Sequence, residues 1–179
     1  LDDMQERLEK LSTVRHATVE RVLPGTLFVT LQERQPVAVW QSGGTLKLVD
    51  MDGIVLNEDA GSYPQLLVVV GEGAPKKIPD LLALLGSQPE LAKEVTAAVW
   101  VGQRRWNLKF AGGVEVMLPD MDEERALKKL ADMQRSQEIL EKAVSAIDLR
   151  VAERVFITVP EEKTADPLKK ITKEGASET

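Results

Sequence analysis

The chain has 179 residues, 43% of them apolar and 29% charged, enough to bury a core and still solvate a surface. Lys and Arg number 23 against 29 Asp and Glu, a net charge of −6. That balance argues against nucleic-acid binding, which needs clustered cations to displace counterions from phosphates. The absence of cysteine removes thiol catalysis, thiolate metal sites and disulfides together.

No apolar window reaches the roughly 18 residues that a membrane-spanning helix needs. Leu1 does not open a signal peptide, and the sequence starts inside what reads as a helix, as a fragment of a longer protein would.

Leu1, Met4, Leu8 and Leu11 recur at spacings of three and four, which predicts a helix with one apolar face. Strand patterning follows. Val14, Ala17, Val19 and Val22 lead to a Pro24-Gly25 turn, and Leu27, Val29 and Leu31 then share one face of a second strand. Pro36 interrupts the pattern and suits a strand start. A domain boundary is expected near Arg34 to Pro36.

Val37–Gln41 and Thr45–Asp50 are strands around Gly43-Gly44. Asp52-Gly53 then turns the chain into Ile54–Leu56, a strong hairpin signal. The run Leu66–Val70 reads as a buried strand. Pro79–Leu85 reads as a short helix with proline in its first turn, and Pro89–Glu94 as a second helical piece. Three strands come next, Thr96–Val101, Arg104–Phe110 and Val114–Leu118, the last two joined by Ala111-Gly112-Gly113.

Asp120 followed by Glu123 predicts a capping box, opening a helix that runs to about Val144 on an inner stripe of Leu127, Leu130, Met133 or Gln134, Leu140 and Val144. Ile147–Val151 and Arg154–Val159 read as two closing strands or as one bent strand. From Pro160 onward Glu, Lys, Thr and Ser dominate, as in a disordered tail. The fold class is α+β.

Catalytic chemistry lacks parts. His16 is the sole histidine, and neither a triad nor a histidine metal cluster can be assembled around it from sequence. Asp50-Met51-Asp52-Gly53 lacks the ligand spacing of an EF-hand loop and reads as a hairpin turn. Gly71-Glu72-Gly73 carries no phosphate-loop Lys-Ser or Lys-Thr. Trp100 and Trp106 read as sheet packing. In the last strand Val155, Ile157 and Val159 alternate with Arg154, Phe156 and Thr158. A strand apolar on both faces is either an edge open to another strand or an ordinary internal one.

The stretch from Val14 to Trp40 carries Ala17, Val19, Arg21, Pro24, Leu27, Val29, Leu31, Glu33-Arg34 and Pro36-Val37-Ala38-x-Trp40. This pattern resembles the end of a POTRA domain running into the next domain of the bacterial cell-division family FtsQ/DivIB. Val49-Asp50-x-x-Gly53, Tyr63-Pro64-Gln65-Leu66, Arg104-Arg105-Trp106 and Ile147-Asp148-Leu149-Arg150 are similar to later motifs of that family. A whole POTRA unit would also supply a first strand and a first helix before Leu1.

The resemblance implies residues 1–33 as the C-terminal part of a POTRA domain and 34–159 as a mainly antiparallel β domain with helices on one side. Residues 160–179 are expected as a tail. It also implies a non-catalytic divisome scaffold, membrane-anchored and working on the periplasmic side of the inner membrane at the septum. It would bind FtsB (or DivIC) and FtsL without a cofactor, metal or nucleic acid. Partner strands are taken up beside the final strand, so Arg104, Arg105, Arg150, Val151 and Glu153 become the expected partner-binding residues. The alternatives are a POTRA-bearing outer-membrane assembly or secretion component, and a cell-wall enzyme whose site the fold hides.

Overall fold

The computed structural model describes residues 1–160. The predicted tail lies, apart from Pro160, outside the described residues. Helix α1 (Asp2–Glu9) leads into strands β1 (Val14–Val22) and β2 (Thr26–Glu33), which pair antiparallel around the Pro24-Gly25 turn. Val14, Ala17 and Val19 are buried. Val22, at the hairpin tip, is exposed.

The helix and the second strand form, but their apolar faces stay uncovered in this small unit. No residue of α1 is buried. Every residue of β2 is exposed, including Leu27, Val29 and Leu31. Alternation marks a face suited to burial, but a two-stranded ribbon has too few neighbours to bury it. The contact of α1 with β1 is partly polar: Glu9 Oε1 accepts from the Ala17 N–H at 3.0 Å and faces His16 Nδ1 at 2.8 Å.

The remaining strands form one nine-stranded sheet. They are β3 (Pro36–Ser42), β4 (Thr45–Asp50), β5 (Val55–Leu56), β6 (Leu67–Val70), β7 (Val95–Val101), β8 (Arg105–Phe110), β9 (Glu115–Met117), β10 (Ala146–Asp148) and β11 (Phe156–Thr158). Their order is β11-β10-β9-β8-β7-β6-β3-β4-β5. The sheet is mainly antiparallel, with parallel pairings at β3/β6, β6/β7 and β9/β10. Parallel neighbours need long crossovers. Helices α2 (Ile78–Gly86) and α3 (Pro89–Ala92) bridge β6 to β7, and α4 (Glu123–Gln137) bridges β9 to β10. The protein is thus α+β, with helices on one face of a mixed sheet.

The covered face carries Ala38, Val69, Ala98, Leu108, Val116 and Ile147, one or more from each central strand. Against it pack Ile78, Leu81, Leu84 and Leu85 of α2, Leu91 of α3, and Ala126, Leu127, Leu130 and Ala131 of α4. Each fully buried Leu or Ile is worth roughly 1.5–3 kcal/mol relative to exposure. A smaller cluster of Val39, Leu48, Leu56 and Ala60 lies apart from that core, with Tyr63 and Leu66 against it. Trp100 and Trp106 sit opposite each other in the β7/β8 register, ring centroids 4.8 Å apart and tilted by 48°. They pack the sheet, as expected.

Helix α4 departs from the predicted span at both ends. Its N-cap is Asp122, not Asp120. Asp122 has φ of 61° and makes no side-chain capping bond, so the capping box does not form. The helix stops at Gln137, because Glu138 turns left-handed at φ of 50°. A 3-10 turn (Ile139–Glu141) follows, and Gln134 Oε1 accepts from the Leu140 N–H at 2.9 Å. The apolar period persists through this break because the turn returns Ile139 and Leu140 to the core.

Candidate functional site

Strand β10 lies between β9, to which it is parallel, and β11, to which it is antiparallel. Ala146 pairs with Thr158, Ile147 with Ile157 and Asp148 with Phe156. The closing segment is therefore two strands, joined by residues 149–155. Of the two readings for its last strand, edge or internal, the edge is correct: β11 ends the sheet, with no strand beyond it among the described residues. Phe156, Ile157 and Val159 are 50%, 43% and 61% exposed. Their side chains and the outer main-chain groups of β11 therefore face solvent together, and such an edge invites another strand.

At the start of β8 and just after β10 the chain gathers cations. Arg104 closes the turn between β7 and β8, Arg105 starts β8, and Arg150 follows β10. With Val151, Pro119, Asp120 and Asp148 they line one cleft of about 240 Å³. Four of the five expected partner-binding residues therefore converge, although Arg105 and Arg150 stand 45 positions apart in the sequence. They occupy connections and a strand start, not the edge ladder itself. Arg105 Nε and Asn107 Oδ1 are buried with no hydrogen-bond partner.

Asp148 organises Arg150. Its Oδ1 accepts from the Arg150 backbone N–H and Nε at 2.9 Å each, and its Oδ2 accepts from Nη2 at 2.6 Å. The Arg150 side-chain bonds, more than the charge itself, hold the Asp148 carboxyl below the usual aspartate value. The same bonds raise Arg150. The guanidinium stays partly exposed, aimed but accessible. The Asp148-x-Arg150 spacing is the sequence signal for this arrangement.

Glu153 is separate. It lines a neighbouring cavity of about 540 Å³ between α4 and the β10–β11 connection, where it faces Arg125 at 3.9 Å. Lys128, Lys129, Met121 and Arg150 also line that cavity. Nothing in the local pattern of Met121, Lys128 and Lys129 separates them from an ordinary solvated turn and helix face.

Other candidates are accounted for by structure. Asp50 Oδ1 accepts from the Asp52 and Ile54 backbone N–H groups, so the acidic turn is a hairpin closure. His16 lies on β1 beside Glu9. Among the described residues no group of three His, Cys, Asp or Glu is placed to hold a metal ion. Among them also, no helix is long and apolar enough to cross a membrane.

Two family models match. The model described as "Cell division protein FtsQ/DivIB, C-terminal" covers residues 38–150, and "POTRA domain, FtsQ-type" covers residues 1–34. The chain belongs to the FtsQ/DivIB family of cell-division proteins. It is 38% identical over 158 residues to Cell division protein FtsQ of Caulobacter vibrioides, covering 88% of this chain and 52% of that protein. It is 37% identical over 175 residues to Cell division protein FtsQ of Zymomonas mobilis, covering 97% and 54%. The chain spans about half the length of the curated relatives it matches. The extracytoplasmic domain of DivIB from Geobacillus stearothermophilus is similar at 14% identity with a TM-score of 0.43, covering 62% of this chain and 99% of that one.

Proposed function

We propose that this chain is a non-catalytic scaffold of the bacterial divisome. In this reading it holds an extended segment of FtsB (or DivIC), with FtsL, on the periplasmic side of the inner membrane during septum formation. Residues 1–33 act as the C-terminal part of a POTRA domain and residues 34–159 as the partner-binding β domain. Family membership supports the division role. The observation that carries the binding mode is β11, an apolar strand with no neighbour on its outer side among the described residues.

Binding proceeds by addition of a strand to β11. Main-chain hydrogen bonds supply affinity, and side-chain pockets on alternate positions supply selection. Phe156 and Ile157 offer apolar contacts on opposite faces of the new strand pair. Arg104, Arg105 and Arg150 offer charge-assisted hydrogen bonds to acidic side chains flanking the added strand. Val151 packs beside them, and Glu153 selects against acidic residues at the far end of the connection.

Calorimetry of the chain with the periplasmic part of an FtsB-like partner tests this. Ile157→Pro should abolish binding by removing the ladder, and Arg150→Glu should weaken it by one or more orders of magnitude. A parent chain that binds nothing would overturn the scaffold reading. Full affinity in Ile157→Pro would overturn the edge.

A further inference from the structure

Asp50 is the only buried polar or charged residue in the described chain, at 1% exposed. Its Oδ1 closes the β4–β5 turn through the N–H groups of Asp52 and Ile54. Its Oδ2 accepts from Arg34 Nη1, a residue of the connection between β2 and β3 that is itself mostly buried. The same guanidinium reaches Asp52 Oδ2 at 3.3 Å. Asp52 also accepts two bonds from Arg15 on β1, at 3.0 and 3.2 Å. One acidic turn of the large sheet thus meets an arginine from β1 and one from the connection after β2.

The turn is seated on the large unit. Gly53 has φ of +78°, and a Cβ there would lie 2.4 Å from the Pro75 carbonyl oxygen, just before α2. The small unit lacks an equivalent apolar seat. Its buried Val14, Ala17 and Val19 belong to neither apolar cluster, and both clusters draw only on residues from Val37 onward. Units with no shared core are free to reorient unless specific contacts hold them.

We infer that Arg34 and Asp50 form an orientation lock, which sets the angle of the α1–β1–β2 unit on the nine-stranded sheet. Arg15 and Asp52 are its solvated outer half. The two halves differ in weight. Arg15 and Asp52 are about one-third and two-fifths exposed, a setting in which ion pairs contribute little. Arg34 and Asp50 are removed from water: losing Arg34 leaves the Asp50 charge buried without its cation, and losing Asp50 leaves Arg34 only the more exposed Asp52. The inference stands apart from the partner-binding reading, since it concerns neither β11 nor the arginine cleft.

The chain has no cysteine, so introduced cysteines at exposed Glu20 and Glu90 are unique sites for spin labels. Distances between the labels in the full chain report the angle between the units. The parent should give one narrow distribution. Arg34→Gln should widen it at least twofold, and Asp52→Asn should leave it within the parent's width. Asp50→Asn keeps an acceptor for the turn N–H groups while removing the charge, and should widen it like Arg34→Gln. It also serves if Arg34→Gln fails to fold. A parent-like distribution in a folded Arg34→Gln or Asp50→Asn protein would overturn the lock. So would equal widening in Asp52→Asn.

Discussion

Arg150 is held by Asp148, two residues before it, through three side-chain contacts of 2.6–3.0 Å. The carboxylate fixes the guanidinium at the mouth of the cleft it shares with Arg104 and Arg105. An otherwise flexible side chain is thereby ordered, which under the proposed binding mode would lower the entropy lost when a partner docks.

This pair has a pH signature. Asp148 is depressed by its bonds to Arg150, so in the folded chain it stays ionised below the ordinary aspartate value of about 3.9. A depressed carboxyl stabilises the fold above its unfolded pKa, and that contribution is lost as pH falls through the folded value. Carboxyl-carbon NMR should place the Asp148 midpoint below the ordinary aspartate value, and Arg150→Gln should raise it. A midpoint unmoved by that substitution would contradict the pairing.

Leu130 of α4 is fully buried against the sheet. Leu130→Ala should cost about 2–5 kcal/mol in urea unfolding, the range for leucine cavities in a packed core. Leu46→Ala, on exposed β4 positions, should change stability by less than about 0.5 kcal/mol.

Gly71 has φ of +125°, and a Cβ there would lie 2.6 Å from the Trp100 carbonyl oxygen. Its own carbonyl accepts from Trp40 Nε1 at 2.9 Å. Gly71→Ala should therefore destabilise by about 1–3 kcal/mol through backbone strain. Thermal unfolding measures the loss, and tryptophan emission should report the disturbed Trp40 contact.

Glu153 and Arg125 face each other across 3.9 Å with both side chains largely exposed. Glu153→Ala should change stability by less than about 1 kcal/mol. Any change it makes in partner affinity then reads out contact with the partner and not damage to the fold.

Much of the architecture was legible in local chemistry. The cluster of apolar residues from Val14 to Val22 marked β1 as a strand, and the Asp-Gly and Gly-Gly pairs located the hairpin turns. The spacing of Leu127 and Leu130 marked the inner face of α4. The absence of cysteine removed thiol chemistry, and the motifs from Val14 to Arg150 carried the family. These signals act within a few residues, where sterics and hydrogen-bond geometry depend on neighbours in the chain. Tertiary structure alone decided the rest. It put β11 at the end of the sheet, because strand order depends on where the crossover helices pack and not on the strand's own pattern. It brought Arg105 to Arg150 and Arg34 to Asp50 for the same reason. It left β2 uncovered despite its alternation, since burial requires a second surface that alternation cannot supply.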